Sequence, residues 1–176
     1  TGMNKNTEFV MYVDNFLDEN ILKGLQNNFL NLDYTAMVTK AGAHYGFRYN
    51  FPKSFYNDPI VTVIKNTFFP NRNLNPIQIS ANIRFNTTNP LFHVDTHASN
   101  ETGERNNHAN FLLYVIGETS LNNGTGFMTD KSLSSSVGFV ENRAVFFNGN
   151  KIFHSDLQSF GNSSSRYTLN IFYEEK

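Results

Sequence analysis

Short apolar runs separated by polar, turn-forming residues fill the chain from about residue 76 to its end. The runs cover residues 77–85, 92–95, 111–116, 126–128, 137–140, 143–147 and 167–172. Their lengths are typical of β-strands, and clusters of Asn, Gly, Ser and Thr punctuate them. Because no helical pattern lies between the runs, they favour a sandwich or a jelly roll over an alternation of strands and helices.

The N-terminal third predicts two helices with an early strand between them. Asp18 suits the N-cap of a first helix, whose apolar residues recur at helical spacing at Ile21, Leu22, Leu25 and Phe29. Asp58 and Pro59 suit the start of a second, shorter helix, which ends before Pro70 and carries Ile60, Val61, Ile64 and Phe68. Residues 45–55 are rich in Tyr, Phe and Arg and predict the strand.

Length and composition indicate one unit. Of the 176 residues 39% are hydrophobic, which suffices for one sizeable core but hardly for two. We therefore expect a single domain over residues 1–176, with a helical part at about 14–70 and a strand-rich part at about 76–176. The 18 Phe and 8 Tyr strengthen the preference for strands.

Charge and cysteine content exclude several classes of function. The formal net charge is -1 and no charged run occurs, so neither a nucleic acid nor a membrane surface is expected as a partner. The absence of cysteine excludes disulfides, thiolate metal sites and a cysteine nucleophile, so a metal would need imidazole and carboxylate ligands. The first residues resemble no leader peptide and no apolar run reaches spanning length, which predicts a soluble cytoplasmic protein.

A candidate metal site begins with His93 and Asp95, whose side chains would project from the same face of a strand. His154, far downstream and across several strands, would complete the two-histidine, one-carboxylate set of non-haem iron(II) enzymes. His154 and Asp156 repeat the spacing, but no histidine follows them, so Asp156 is expected beside the site or at the surface. Alone, a His-x-Asp triplet is more often part of a surface salt bridge or a capped turn than of a metal site.

Arg166 lies 12 positions after His154, and Thr168 shares its strand face. A guanidinium can bind a carboxylate through two parallel hydrogen bonds, and the threonine hydroxyl can add another. The pair therefore suits a dicarboxylate ligand, although a surface ion pair is the commoner role of a single arginine.

Taken together, His93-x-Asp95, His154 and Arg166-x-Thr168 resemble the 2-oxoglutarate- and iron(II)-dependent dioxygenases, most closely their prolyl 4-hydroxylase-like branch. The similarity covers roughly the last hundred residues. It includes residues 83–85, 113–115, 124–127 in a turn, and 144–147. The resemblance implies a mainly β fold, a cupin-like double-stranded β-helix or jelly roll over residues 76–176, with the N-terminal helices packed on its major sheet.

The same resemblance implies an enzyme in which His93, Asp95 and His154 hold Fe(II), with 2-oxoglutarate and dioxygen as cosubstrates. It would decarboxylate 2-oxoglutarate to succinate and CO2 and hydroxylate a second, prime substrate. Asp95 distinguishes the chain from related halogenases, which have a small residue where chloride binds. Hydroxylation is therefore expected, with desaturation and ring formation as alternative outcomes.

Further residues are implied by the resemblance. Arg166 would bind the far carboxylate of 2-oxoglutarate, and Tyr114 matches a tyrosine that often contacts the same carboxylate. Alternation along the strand places Asn110 on the face of Tyr114, so that it would line the pocket. Phe85 stands where this branch often has tyrosine, which removes a polar contact expected there.

Several alternatives stay open. A non-catalytic jelly-roll module that binds ligands, or a cupin-like Zn(II) enzyme, would leave Arg166 and Thr168 without a task. The prime substrate would be a peptide, with peptidyl proline as the first guess, or a small molecule, and no oligomeric state is indicated. The polar stretch 96–107 is either a lid or a solvated loop. His44, His97 and His108 are not expected to be ligands, and Lys151 could adjust access.

Overall fold

The computed structural model describes residues 10–42, 44–85, 92–95, 108–129, 132–149, 152–157 and 165–175. In chain order the elements are β1 (Val10–Val13), α1 (Glu19–Leu30), β2 (Thr35–Val38), β3 (His44–Asn50), a 3-10 helix (Lys53–Asn57), α2 (Pro59–Phe68), β4 (Leu74–Phe85), β5 (His108–Ile116), β6 (Ser120–Thr129), β7 (Ser132–Phe139), β8 (Ala144–Phe147), β9 (Phe153–Asp156) and β10 (Ser165–Glu175).

Two antiparallel sheets organise these strands. The major sheet has seven strands in the order β1-β8-β5-β10-β4-β3-β2, and the minor sheet has three in the order β7-β6-β9. A hydrophobic cluster joins the sheets, since Leu112 and Tyr114 of the major sheet pack with Phe127 and Phe139 of the minor one. The predicted mainly β jelly roll is therefore confirmed.

The outer face of the major sheet packs against the two helices. Phe29 of α1 and Ile64 of α2 share a core with Leu113 and Val115 of β5. Successive residues of β5 thus enter opposite cores, which explains why residues 111–115 are apolar without interruption. The helices lie on the major sheet, as expected.

Both predicted N-caps are present. Asp18 accepts a hydrogen bond from the Asn20 amide at 2.9 Å, and Asp58 accepts one from the Ile60 amide at 3.0 Å. The expectation that Ile21 faces the core is wrong, because its side chain is 55% exposed. None of the helices in the described ranges is long and apolar enough to cross a membrane.

The strand predictions fail where tertiary pairing overrides local composition. Residues 45–55 form a strand only as far as Asn50, after which the chain turns into the 3-10 helix. Residues 92–95 form only an isolated bridge, between His93 and His154. Residues 124–127 lie within β6 rather than in a turn, because β7 and β9 pair with this strand on its two sides.

Candidate metal centre and cavity

Backbone hydrogen bonds bring the three predicted metal ligands together. The His93 amide donates to the His154 carbonyl at 3.1 Å, and the His154 amide donates to the His93 carbonyl at 2.9 Å. The Asp95 amide donates to the Gly149 carbonyl at 2.9 Å. Short pairing between β9 and the segment around His93 therefore positions residues that are far apart in sequence.

The side chains of His93, Asp95 and His154 converge. One ligand atom of each lies within 4.8 Å of the others. The Asp95 carboxylate has one oxygen 3.5 Å from His93 Nε2 and the other 3.3 Å from His154 Nε2. His154 Nδ1 lies 2.9 Å from the Ile152 carbonyl, which only accepts, so Nδ1 carries a proton and Nε2, which faces Asp95, is the nitrogen that would bind a metal.

Asp95 is held as a carboxylate. Burial alone would raise its pKa, but hydrogen bonds from His154, His93 and Asn110 outweigh burial and keep the pKa of this carboxyl well below its usual range. A carboxylate that stays ionised beside two imidazoles is suited to a divalent cation.

Asn110 and Gly149 support Asp95 from behind. Asn110 Nδ2 donates to Asp95 Oδ2 at 2.6 Å. Gly149 lies so close that a Cβ atom there would approach Asp95 Oδ2 to 2.5 Å and Asn110 Nδ2 to 2.4 Å. Asn110 Oδ1 is buried and has no hydrogen-bond partner within the described ranges. A hydrated metal ion would supply the donor that this acceptor needs, so the residues present fit a bound metal.

A cavity of about 350 Å³ lies beside the triad, between the two sheets. Its walls come from the inner faces of β4, β5 and β10 and from β9, and Asn110 and Thr168 are among the lining residues. Thr168 donates to Asn170 Oδ1 at 2.8 Å. The structure therefore places these two predicted residues at the cavity.

Arg166 is 2% exposed and lies behind the cavity wall. Its guanidinium donates to the carbonyls of Asn123 at 3.1 Å, Gly124 at 2.9 Å and Leu157 at 3.2 Å. It lies over the Phe139 ring, 5.1 Å from the ring centre. In this structure Arg166 therefore joins β10 to β6 and to the end of β9.

Tyr114 is also buried, and its hydroxyl lies 2.7 Å from Thr125 Oγ1. Burial raises the pKa of Tyr114 to about 12, so the phenol is neutral at ordinary pH. Thr125 lines the cavity whereas Tyr114 does not. The tyrosine therefore reaches the cavity through the threonine hydroxyl.

The sequence analysis missed two arginines that line the cavity, Arg48 on β3 and Arg84 on β4. Arg84 Nε donates to Asp156 Oδ2 at 2.8 Å, so Asp156 lies at the cavity in an ion pair with Arg84. A signal was present in β4, where polar residues alternate toward the space between the sheets at Gln78, Ser80, Asn82 and Arg84.

Two of the remaining candidates, His44 and Phe85, do not line the cavity. The rings of His44 and Phe85 stack with 5.9 Å between their centres. His97, Lys151 and the 96–107 stretch lie outside the described residues, as does the side chain of His108.

Solved structures match the chain closely in fold. No protein-family model and no curated protein matches the sequence. The prolyl-4-hydroxylase of Pseudomonas putida aligns with a TM-score of 0.66 at 12% identity, over 97% of this chain and 94% of that chain. The chain has the fold of the 2-oxoglutarate- and iron(II)-dependent dioxygenases.

Two further members of this dioxygenase fold align over similar lengths. A Trichoplax adhaerens prolyl hydroxylase in complex with a hypoxia inducible factor peptide has a TM-score of 0.69 at 10% identity, over 97% of this chain and 85% of that chain. HygX from Streptomyces hygroscopicus, with nickel, 2-oxoglutarate and hygromycin B bound, has a TM-score of 0.65 at 10% identity, over 96% of this chain and 84% of that chain.

Proposed function

We propose that the protein is an iron(II) oxygenase that couples decarboxylation of 2-oxoglutarate to succinate and CO2 with hydroxylation of a prime substrate. The observation that carries the proposal is the convergence of His93, Asp95 and His154 at a cavity in a dioxygenase fold. Two nitrogens and one oxygen leave positions open on an iron ion for 2-oxoglutarate and dioxygen.

In this proposal the three ligands hold the metal, and their neighbours keep the ligands oriented. The Ile152 carbonyl fixes the His154 tautomer, and the Asn110 amide fixes the Asp95 carboxylate. Iron(II) with 2-oxoglutarate supplies the activation of dioxygen. The protein contributes the geometry of the ligands and a cavity between two sheets.

The far carboxylate of 2-oxoglutarate would lie near Thr168 and Thr125, with Arg166 behind them. Both threonines line the cavity. Arg166 places a positive charge at the same end while its hydrogen bonds hold β6 in position. Tyr114, neutral and bonded to Thr125, would orient that hydroxyl toward the ligand.

For the prime substrate, the two prolyl hydroxylases among the structural matches support a peptidyl proline, and HygX, crystallised with hygromycin B, supports a small molecule. Both classes are compatible with a cavity of about 350 Å³. Free proline, other amino acids and proline-containing peptides are therefore the first compounds to test as substrates.

The proposal is tested by measuring succinate from 2-oxoglutarate by mass spectrometry, with Fe(II) and ascorbate present. We expect slow formation without a prime substrate, and loss to background in His154→Ala and Asp95→Ala. His44→Ala is the matched control, because His44 lies away from the cavity, and it should keep the wild-type rate. Succinate formation that is equal in all four proteins would refute the proposal.

Arg166 gives a second test. In Arg166→Ala the 2-oxoglutarate concentration for half-maximal binding should rise at least about tenfold, because the variant loses both the positive charge behind the far carboxylate and the hydrogen bonds that hold β6 beside the cavity. Arg166→Lys keeps the positive charge but lacks the planar guanidinium group, so its 2-oxoglutarate concentration for half-maximal binding should lie between those of the wild type and Arg166→Ala. Circular dichroism establishes that each variant is folded. Wild-type affinity in a folded Arg166→Ala variant would contradict the assigned role.

A further inference from the structure

Arg48 is a cavity residue that has no anionic partner among the described residues. It lies on β3, opposite Asn82 of β4, and its side chain lines the cavity. Its Nε donates to Asn82 Oδ1 at 2.9 Å, a neutral acceptor. Within the described ranges no carboxylate forms an ion pair with it, although partly buried cations usually have one.

The nearby carboxylates have other partners. Asp156 accepts from Arg84 at 2.8 Å, and Asp95 belongs to the metal triad. Burial lowers the pKa of the Arg48 guanidinium and Arg84 lowers it further, whereas Tyr45 and Asp95 act in the opposite direction. An anion in the cavity would relieve both the desolvation of Arg48 and its repulsion by Arg84.

Asn82 holds the Arg48 side chain in a fixed orientation. Its Oδ1 accepts from Arg48 while its Nδ2 donates to Ser80 Oγ at 3.0 Å, so the amide orientation is fixed from both ends. This arrangement occupies Nε, and no described residue accepts a hydrogen bond from the two terminal nitrogens, so they face the cavity as donors for a ligand. A carboxylate is the group that two such nitrogens bind most effectively.

Arg48 lies apart from the place proposed for 2-oxoglutarate. Asn82 is the register partner of Arg48 on one side and of Thr168 on the other. The three residues therefore form one row across the sheet, with Arg48 nearer the β2 edge and Thr168 toward the centre. A ligand on Arg48 could occupy the cavity together with a cosubstrate on Thr168.

We propose that Arg48 binds a carboxylate of the prime substrate. The inference rests on the proposed function and narrows its substrate class to molecules with a free carboxylate, such as amino acids, other organic acids or acidic peptides. Arg48 then acts as a specificity-determining residue that holds one end of the substrate while the metal faces the other.

The test uses free L-amino acids and their carboxamides as probes. Binding is measured by calorimetry on protein saturated with Zn(II), which cannot support turnover, and 2-oxoglutarate. We expect at least one amino acid to bind, and its carboxamide to bind at least about tenfold more weakly, as expected for loss of a charged hydrogen-bond acceptor. Arg48→Gln should weaken amino-acid binding by a similar factor and leave the 2-oxoglutarate affinity unchanged.

Arg72→Gln is the matched control, since Arg72 pairs with Glu175 away from the cavity and its loss should not alter probe binding. Arg48→Lys, which keeps the charge, serves if Arg48→Gln does not fold. The proposal is overturned if no amino acid binds, if acids and carboxamides bind alike, or if folded Arg48 variants bind as the wild type does. The proposal is also overturned if Arg48→Gln weakens the binding of 2-oxoglutarate instead, because Arg48 would then bind a carboxylate of the cosubstrate.

Failure of the proposed function gives a different result. In that case 2-oxoglutarate binds neither the wild type nor Arg48→Gln. The same titration is then made on metal-free protein. Stronger binding of the amino acids than of their carboxamides, lost in Arg48→Gln, would still support a carboxylate site at Arg48. Equal binding of acids and carboxamides would overturn the proposal.

Discussion

At the scale of single residues, the metal centre depends on close contacts behind Asp95. Because the three atoms nearest to a Cβ at residue 149 all belong to the ends of the Asp95 and Asn110 side chains, Gly149→Ala can be accommodated by moving those two groups. The fold should therefore survive while the carboxylate is displaced. The same closeness explains why Gly149, unremarkable in the sequence, belongs to the site.

We predict that Gly149→Ala weakens Fe(II) binding by about 10–100-fold, the usual effect of disturbing groups that orient a metal ligand. Gly24→Ala is the control, because a Cβ on this α1 residue meets no atom within 4 Å. Anaerobic calorimetry measures the affinity, and thermal unfolding checks the fold. Equal Fe(II) affinity in the two variants would show that Gly149 is not needed for the site.

Tyr114 provides a pH prediction. Its pKa rises from 10.0 to about 12 on folding, mainly by burial. Its contribution to stability is therefore complete below pH 10 and is lost as the pH rises toward 12, because the unfolded chain releases the phenolic proton first. Urea unfolding at pH 9 and pH 11 should show a larger loss of stability in the wild type than in Tyr114→Phe. Identical losses would contradict the assignment.

At the scale of elements, Asn142 fastens the segment before α1 to the major sheet. Its side chain accepts from the Leu17 amide at 2.9 Å and donates to the Leu17 carbonyl at 2.8 Å. Its backbone has φ of 65°, a left-handed conformation that asparagine and glycine tolerate better than other residues.

We predict that Asn142→Gly lowers the free energy of unfolding by about 1–3 kcal/mol through the two lost hydrogen bonds. Asn142→Ala should lower the free energy of unfolding by a further ~1–2 kcal/mol, because alanine is strained at this φ. Urea unfolding of the two variants separates the contributions. If alanine were as stable as glycine here, backbone strain would not contribute.

The elements that the sequence predicts well are those with a local signal. Asp18 and Asp58 mark the helix starts, and uninterrupted apolar residues mark β5. The N-terminal half of β6 contains Asn122, Asn123 and Gly124, which suit a turn by composition. It is a strand because β7 pairs with it, and such non-local pairing leaves no local pattern.

In the candidate site, too, some residues have a local sequence signal and others depend on the whole fold. His93, Asp95 and His154 could be chosen from spacing and order, and the structure brings them together. Arg48 could not be chosen, because an arginine in an aromatic strand usually lies on the surface. Its place in the cavity follows from β3 being added beside β4 in the major sheet, which depends on the whole fold.

At the scale of the whole molecule, the two sheets divide the work of the site. The major sheet supplies Asn110, Thr168 and Arg48, and β9 of the minor sheet supplies His154 and Asp156. The Arg84–Asp156 ion pair connects the sheets across the cavity. Asn110 of the major sheet contacts Asp95, and His154 comes from the minor sheet, so the candidate metal centre depends on the packing of the two sheets. Metal binding should therefore stabilise the folded chain against unfolding.

The most direct measurement is an anaerobic titration of metal-free protein with Fe(II) and 2-oxoglutarate, followed by visible absorption. We predict a weak charge-transfer band from chelation of the 2-oxo acid, its absence in His154→Ala, and its bleaching as succinate forms when oxygen is admitted. Wild-type protein that binds Fe(II) but shows no band with 2-oxoglutarate would contradict the central claim, because the triad would then serve a different metal chemistry.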